Sequence, residues 1–194
     1  MAGGRQAGGC ALKVPGIVKA VVVVCFGLPL TLVIGLVLGL VVYDLMEFQP
    51  RLTEMRQFIA KADPAEKAPP PVLVKLQHLA DGEHITGTVV RVLWQELRFK
   101  PPRHRRILVE LTWLALVNVH FSDTDRMTLR LALSPMGGRA KGFARASQEV
   151  FGVPLADVSI DQAARLTLIQ RSSYFLGNPE RMARHAARLV ERAN

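Results

Sequence analysis

Arg103-His104-Arg105-Arg106 places four basic side chains in a row directly behind Pro101 and Pro102. Two prolines cannot continue a helix, so the cluster sits on a loop. Clustered guanidinium groups can hold a phosphate through charge-assisted, bidentate hydrogen bonds; the bland alternative is a solvated basic loop. Glu110 follows Arg106 by four residues on an apolar helical stretch, so an ordinary contact one turn apart would pair the two. Glu83-His84 behind Gly82 is an acid/base combination by residue type, or else a solvated loop. The five histidines show no ligand spacing, and the two cysteines, Cys10 and Cys25, give no zinc pattern. Gly137-Gly138 reads as a turn, since no strand precedes it and no Gly-Lys-Ser follows. Trp94 and Trp113 fall at helical core positions, which suits packing better than a sugar platform.

The elements that must carry these residues are helical almost throughout. Val72 to Ala80 is a short apolar helix ending at Asp81-Gly82. Thr88 to Phe99 continues with Val89, Val92, Leu93 and Leu97 on one face. Ile107 to Val119 is apolar nearly all round, which predicts the central buried helix. Ser122 with Asp125 three residues on opens the next helix as a capping box, and Pro135-Met136-Gly137-Gly138 breaks it. Ala140 to Val150 is a further helix stopped at Gly152. Ser159-x-x-Gln162 is another capping box, and Asn178-Pro179 starts the last helix with proline where its missing N–H costs nothing. Strand signals are nearly absent, so the expected fold class is all-α.

Upstream, residues 20 to 43 carry no charge and are rich in Val, Leu and Gly. At about 1.5 Å per residue they are long enough to cross the roughly 30 Å hydrocarbon core. The run is too long for a cleaved signal peptide and lacks a small-x-small site after it. Arg5, Lys13 and Lys19 precede it without any acid, which places the N-terminus in the cytoplasm and the rest outside. In a bacterium this means a single-pass inner-membrane protein whose C-terminal domain is periplasmic. Residues 1–19 form a basic cytoplasmic tail, 20–43 the transmembrane helix and 72–194 the exported domain. Between them, 44–71 reads as an amphipathic helix (Leu45, Phe48, Leu52, Met55, Ile59) lying on the bilayer or packing on the domain, then a Pro-rich linker from Ala62 to Pro71.

The formal charge is +9, and outside the tail 22 Lys and Arg still face 16 acids. Export argues against nucleic acid as the partner. Anionic lipid, a pyrophosphate-linked substrate or a wall polymer fits the balance better.

Phe151-Gly152-Val153-Pro154-Leu155-Ala156-Asp157-Val158-Ser159, followed by Ala163-Ala164 and Asn178-Pro179-Glu180-Arg181, resembles the C-terminal half of the peptidoglycan glycosyltransferase domain, glycosyltransferase family 51. Its members polymerise lipid-linked disaccharide into glycan strands. Residues 106–192 follow the family order without a gap. Of the family's Arg-Lys-x-x-Glu pattern, Arg106 and Glu110 match and Ile107 replaces the lysine. Ser122 matches the start of the Ser-Lys-x-x-Ile-Leu-Glu-x-Tyr-Leu-Asn run, in which Asp123, Thr128, Arg130 and Ala132 depart and Leu131 survives. Gly137, Gly142, Ala146, Phe151 and Gly152 match the later Gly-rich turn and Tyr-Phe-Gly segment, with Arg184 and Arg188 on the closing helix. Before Arg106 the match collapses. The first catalytic carboxylate belongs in a Glu-Asp-x-x-Phe-x-x-His-x-Gly motif, and the nearest stretch has Ala80 there. The Gly-Gly-Ser-Thr-Ile-Thr-Gln-Gln motif is missing, or survives as Gly82-Glu83-His84-Ile85-Thr86 with Arg91 near the family lysine.

The resemblance implies a lysozyme-like helical domain with Glu110 as the family's second carboxylate. Glu83 would stand in for the lost general base, and Arg91, Arg103, Arg105 and Arg106 would bind substrate. Glycan polymerisation needs a general base on the acceptor hydroxyl and positive charge for the departing pyrophosphate. Losing the base alone typically costs a factor of about 100 to 10,000. The expectation is therefore a domain in cell-wall biogenesis that binds lipid-linked precursor or glycan with weak or no polymerase activity. An active transglycosylase using Glu110 and a non-enzymatic adaptor for wall-synthesis proteins are the alternatives. No cofactor is implied; a divalent cation would suit the pyrophosphate chemistry, but no residue pattern indicates one.

Overall fold

The computed structural model describes residues 27–82, 85–137 and 140–193. It is mostly helical, in agreement with the all-α expectation. The chain forms two compact units that divide between Leu45 and Met46.

In the first unit, α1 (Leu28–Tyr43) begins at Pro29 in its first turn, carries no charge and buries none of its side chains. The helical stretch Leu28–Lys61 is long and apolar enough to cross a membrane by length and composition. Gly35 and Gly39 have nothing near the position of a side chain.

The second unit holds α2 (Gln49–Lys61), α3 (Pro64–Lys67), α4 (Pro71–Asp81), α5 (Ile85–Glu96), α6 (Arg106–His120) and α7 (Asp123–Leu133). A two-residue antiparallel hairpin follows, β1 (Pro135–Met136) on β2 (Ala140–Lys141). Then come α8 (Phe143–Phe151), α9 (Ile160–Arg171) and α10 (Pro179–Ala193). Helix starts follow local chemistry. Ser122 and Ser159 make the expected capping boxes with Asp125 and Gln162. Gly152, at φ 70° and ψ 15°, closes α8 in the left-handed region. Asn178 differs in detail: its amide donates to the Tyr174 carbonyl, and its own carbonyl accepts from Met182 N–H.

One apolar core lies among α4, α7, α8, α9 and α10, and includes Leu73, Leu76, Leu131, Phe143, Leu155 and Leu166. Inside it runs a polar network centred on Arg130, which is 1% exposed. Its Nε donates to Gln77 Oε1 (2.8 Å) and one terminal nitrogen to Gln170 Oε1 (3.2 Å). Gln77 donates on to Thr167 Oγ1 (3.0 Å), and Gln170 to Ser134 Oγ (2.6 Å). Burial, with Arg171 nearby, pushes the Arg130 guanidinium down to about 10, so it remains charged at neutral pH.

An aromatic cluster fills the space between α2, α5 and α6. Phe48 meets Trp113 edge-on (5.2 Å between centroids), Phe99 lies 5.1 Å from Trp113, and Trp94 packs on both. Both tryptophans are core residues, as their spacing predicts. The amphipathic segment before the linker packs on this domain, with Phe48, Leu52 and Met55 buried.

Two expectations need correction. The Pro-rich stretch Ala62–Pro71 is not a free linker. Asp63 and Glu66 form a capping box around α3, and Glu66 is 4% exposed, where it accepts from the Ala144 N–H (3.0 Å) at the start of α8. The long-range cap comes from a residue 78 positions away, which no local pattern reveals. Second, α6 is not the central buried helix. It packs chiefly on α5, burying Trp113, Leu116 and Val117 and leaving Ile107, Leu108, Leu111 and Val119 exposed. An all-apolar helix can be buried all round only where neighbours surround it.

Glu66 also fixes Gly142. At φ 85° and ψ 152°, Gly142 occupies backbone space open essentially only to glycine. An added Cβ would lie 2.8 Å from Glu66 Oε1 and 3.0 Å from the Ala132 carbonyl oxygen. Gly142→Ala should lower the unfolding free energy by about 1–3 kcal/mol, measured by chemical denaturation. Burial pushes the Glu66 carboxyl up, against the backbone N–H donors that favour its charge. A raised folded value means that protonation stabilises the fold. That contribution is fully present below the unfolded value of 4.5 and disappears as pH rises through the folded one. Unfolding free energies of wild type and Glu66→Gln, taken from pH 4 to pH 7, should show wild type losing ground to the variant as pH rises.

Candidate functional site

The site is built where α5 ends and α6 begins. Helix α5 closes with a Schellman motif: the Phe99 N–H bonds the Trp94 carbonyl (2.8 Å) and the Arg98 N–H bonds that of Gln95 (3.2 Å). Arg98 takes the left-handed position at φ 50° that such a motif ordinarily gives to glycine. This reversal returns Phe99 onto Trp94 and Trp113 and starts the Lys100–Pro102 crossing to the short 3₁₀ turn Arg103–Arg105. Arg51 lies over the Phe99 ring, its guanidinium carbon 5.1 Å from the centroid.

The result is a cleft of about 560 Å³ lined by Arg91, Trp94, Gln95, Arg98, Phe99, Lys100, Pro101, Arg103 and Arg106. Five of its nine lining residues are cationic, set around an aromatic floor. The Trp94 indole Nε1 is buried without a hydrogen-bond partner among the described residues. Cations of this density around an apolar floor suit an anion attached to an apolar body, with guanidinium groups supplying the charge-assisted bonds.

Of the sequence-predicted residues, the structure brings Arg91, Arg103 and Arg106 into this cleft, while Arg105 does not line it. Glu110 is partnered from another helix. Its Oε1 lies 3.5 Å from Arg91 Nε on α5, and the Glu110 side chain is 24% exposed. The expected pairing with Arg106 one turn away is replaced by this contact across 19 positions. Glu83 and His84 lie outside the described residues. Arg98 and Lys100 are cleft residues that sequence reading missed. The usable signal was positional, a charged residue at the left-handed end of a helix where glycine belongs.

A second cleft of about 810 Å³ borders the other end of α6, with His78, Thr86, Asn118, Asp123 and Arg126 among its lining. Thr86 Oγ1 donates to Asn118 Oδ1 (3.1 Å), and Arg126 pairs with Asp123. Thr86, Asn118, Asp123 and Arg126 thus pair with one another within this cleft. Among the described residues no three or more His, Cys, Asp or Glu side chains converge.

No family model, no curated protein and no solved structure matches this chain.

Arg98 is placed where conformation and charge pull in opposite directions. Arg98→Gly should relieve the left-handed backbone, by about 1 kcal/mol, while removing a cation from the cleft. Thermal unfolding and calorimetric titration with inorganic pyrophosphate should move oppositely, the melting temperature up and the affinity down severalfold.

Proposed function

We propose that this chain is a membrane-anchored, peptidoglycan-glycosyltransferase-like protein of the bacterial inner membrane. Its N-terminal tail is cytoplasmic, and its all-α, lysozyme-like domain lies in the periplasm. There it holds lipid-linked disaccharide or nascent glycan and polymerises it weakly or not at all. The observation that carries this reading is the Arg91–Glu110 pair beside Arg103 and Arg106. The resemblance puts Arg91 near the family's lysine and matches Arg106 and Glu110 to its Arg and second carboxylate, while Arg103 belongs to the basic cluster on the turn just before them.

The chemistry follows from what the cleft contains. A pyrophosphate needs several cationic donors and a surface for its attached lipid, and the five basic side chains over Trp94 and Phe99 supply both. Acceptor activation needs a carboxylate free to take a proton, the role of the family's first catalytic carboxylate. At the position where the family carries it stands Ala80, and Glu110 is engaged with Arg91. Binding without efficient transfer is the consequence. Partners from the wall-synthesis machinery fit such a domain, which would present precursor to an enzyme that completes the reaction.

The test is binding and polymerisation of labelled lipid-linked disaccharide by the full-length protein in detergent. Affinity should exceed that for a plain anionic phospholipid by about tenfold or more and should drop in Arg91→Gln/Arg103→Gln, since each charge-assisted bond contributes about 1.5–3 kcal/mol. Little or no polymer should form, with any trace unaffected by Glu110→Gln. Equal affinity for the two lipids overturns the reading. Polymer that vanishes in Glu110→Gln makes the protein an active transglycosylase instead.

A further inference from the structure

Helix α6 has an exposed apolar face that its own fold leaves uncovered. Ile107 is 77% exposed, Leu108 62%, Leu111 57% and Val119 75%. At 100° per residue all four fall within about a third of the helix circumference, and they extend over roughly 18 Å of its length. Exposed large apolar side chains grouped on one helix face, here interrupted by Asn118, mark an interaction site in a folded protein.

The surroundings of this face select its occupant. The chain enters it directly from Arg103-His104-Arg105-Arg106, all exposed, and the one acid on α6, Glu110, is held by Arg91. A helix with an apolar stripe, a basic end and no unpaired acid is the pattern of an element lying in the plane of an anionic bilayer. A second copy of this chain would instead bring a second set of the same cations to the contact, where they repel.

We infer that α6 is a membrane-docking helix, its Ile107–Leu111–Val119 face seated at the headgroup–acyl boundary of an anionic bilayer and its preceding Arg cluster bound to lipid phosphates. The inference rests on the anchoring part of the proposed function, because a span ending near Tyr43 keeps the domain close to a lipid surface. It does not depend on the glycosyltransferase-like part. It also takes over the bilayer contact that is one of the two readings of the segment holding Phe48, Leu52 and Met55, all of them buried.

The full chain, with Cys10 and Cys25 changed to serine, is labelled with an environment-sensitive fluorophore at one new cysteine and reconstituted in nanodiscs. Leu111→Cys reports the docking face, Leu36→Cys the anchor and Glu149→Cys an exposed control on α8. In discs containing phosphatidylglycerol, lipid-borne quenchers should reach the labels at 36 and 111 and spare the one at 149. Pure phosphatidylcholine should release the label at 111 and leave that at 36 in lipid. Arg105→Glu, which lies outside the cleft lining, should lower the docked-to-undocked ratio by about fivefold or more. Circular dichroism confirms that each variant is folded.

A label at 111 as open to aqueous quencher as that at 149, with 36 in lipid, overturns the docking helix and leaves the anchor standing. Both 36 and 111 aqueous overturns the anchoring as well. A label at 111 shielded from water and from lipid quencher alike means that a protein covers this face, and the inference is wrong.

Discussion

Burying the Arg130 guanidinium is the constraint around which the rest of the domain is arranged. A charge taken from water costs several kcal/mol unless its donors are met, so the helices around it must present acceptors at fixed positions. Gln77 on α4 and Gln170 on α9 do so, and each passes a further bond, to Thr167 and to Ser134. That chain sets the register of α4, α7 and α9 relative to one another. Hydrophobic packing by Leu73, Leu131 and Leu166 supplies attraction but no such register, since leucines tolerate sliding where hydrogen bonds do not.

A second polar contact ties the start of the domain to its centre. Glu66 closes its own short helix and also takes the Ala144 N–H at the head of α8. The hairpin and Gly142 must therefore bring that helix end close to α3, which the left-handed glycine allows. With α8 fixed there, the loop through Pro154 and the 3₁₀ turn Leu155–Asp157 can bury Leu155 and lead into the Ser159 cap of α9. The stretch rich in proline and charge is thus part of the fold, because its one glutamate has a distant partner.

The cationic cleft and the exposed face of α6 share a cause. Helix α6 rests chiefly on α5, so its basic beginning and an apolar third of its circumference remain open. A further layer of helix over α6 would bury Ile107 and Leu111 and close off Arg103 and Arg106. The price of the open cleft is an apolar surface left facing outward.

Local chemistry was legible in the sequence by itself. The capping boxes at Ser122 and Ser159, the glycine stop at Gly152, the all-α class, the buried tryptophans and the apolar N-terminal helix each depend on residues within a turn or two of one another, so spacing alone determines them. The tertiary structure decided what touches what. Nothing near Glu110 indicates Arg91, nothing near Glu66 indicates Ala144, and an apolar helix carries no mark of how many neighbours it will have. Arg98 lay between the two cases, since its left-handed backbone is a local event that only the packing of Phe99 against Trp94 and Trp113 makes worthwhile. Pairings across tens of residues are fixed by where helices dock, and docking is settled by the summed burial and hydrogen bonding of the whole domain.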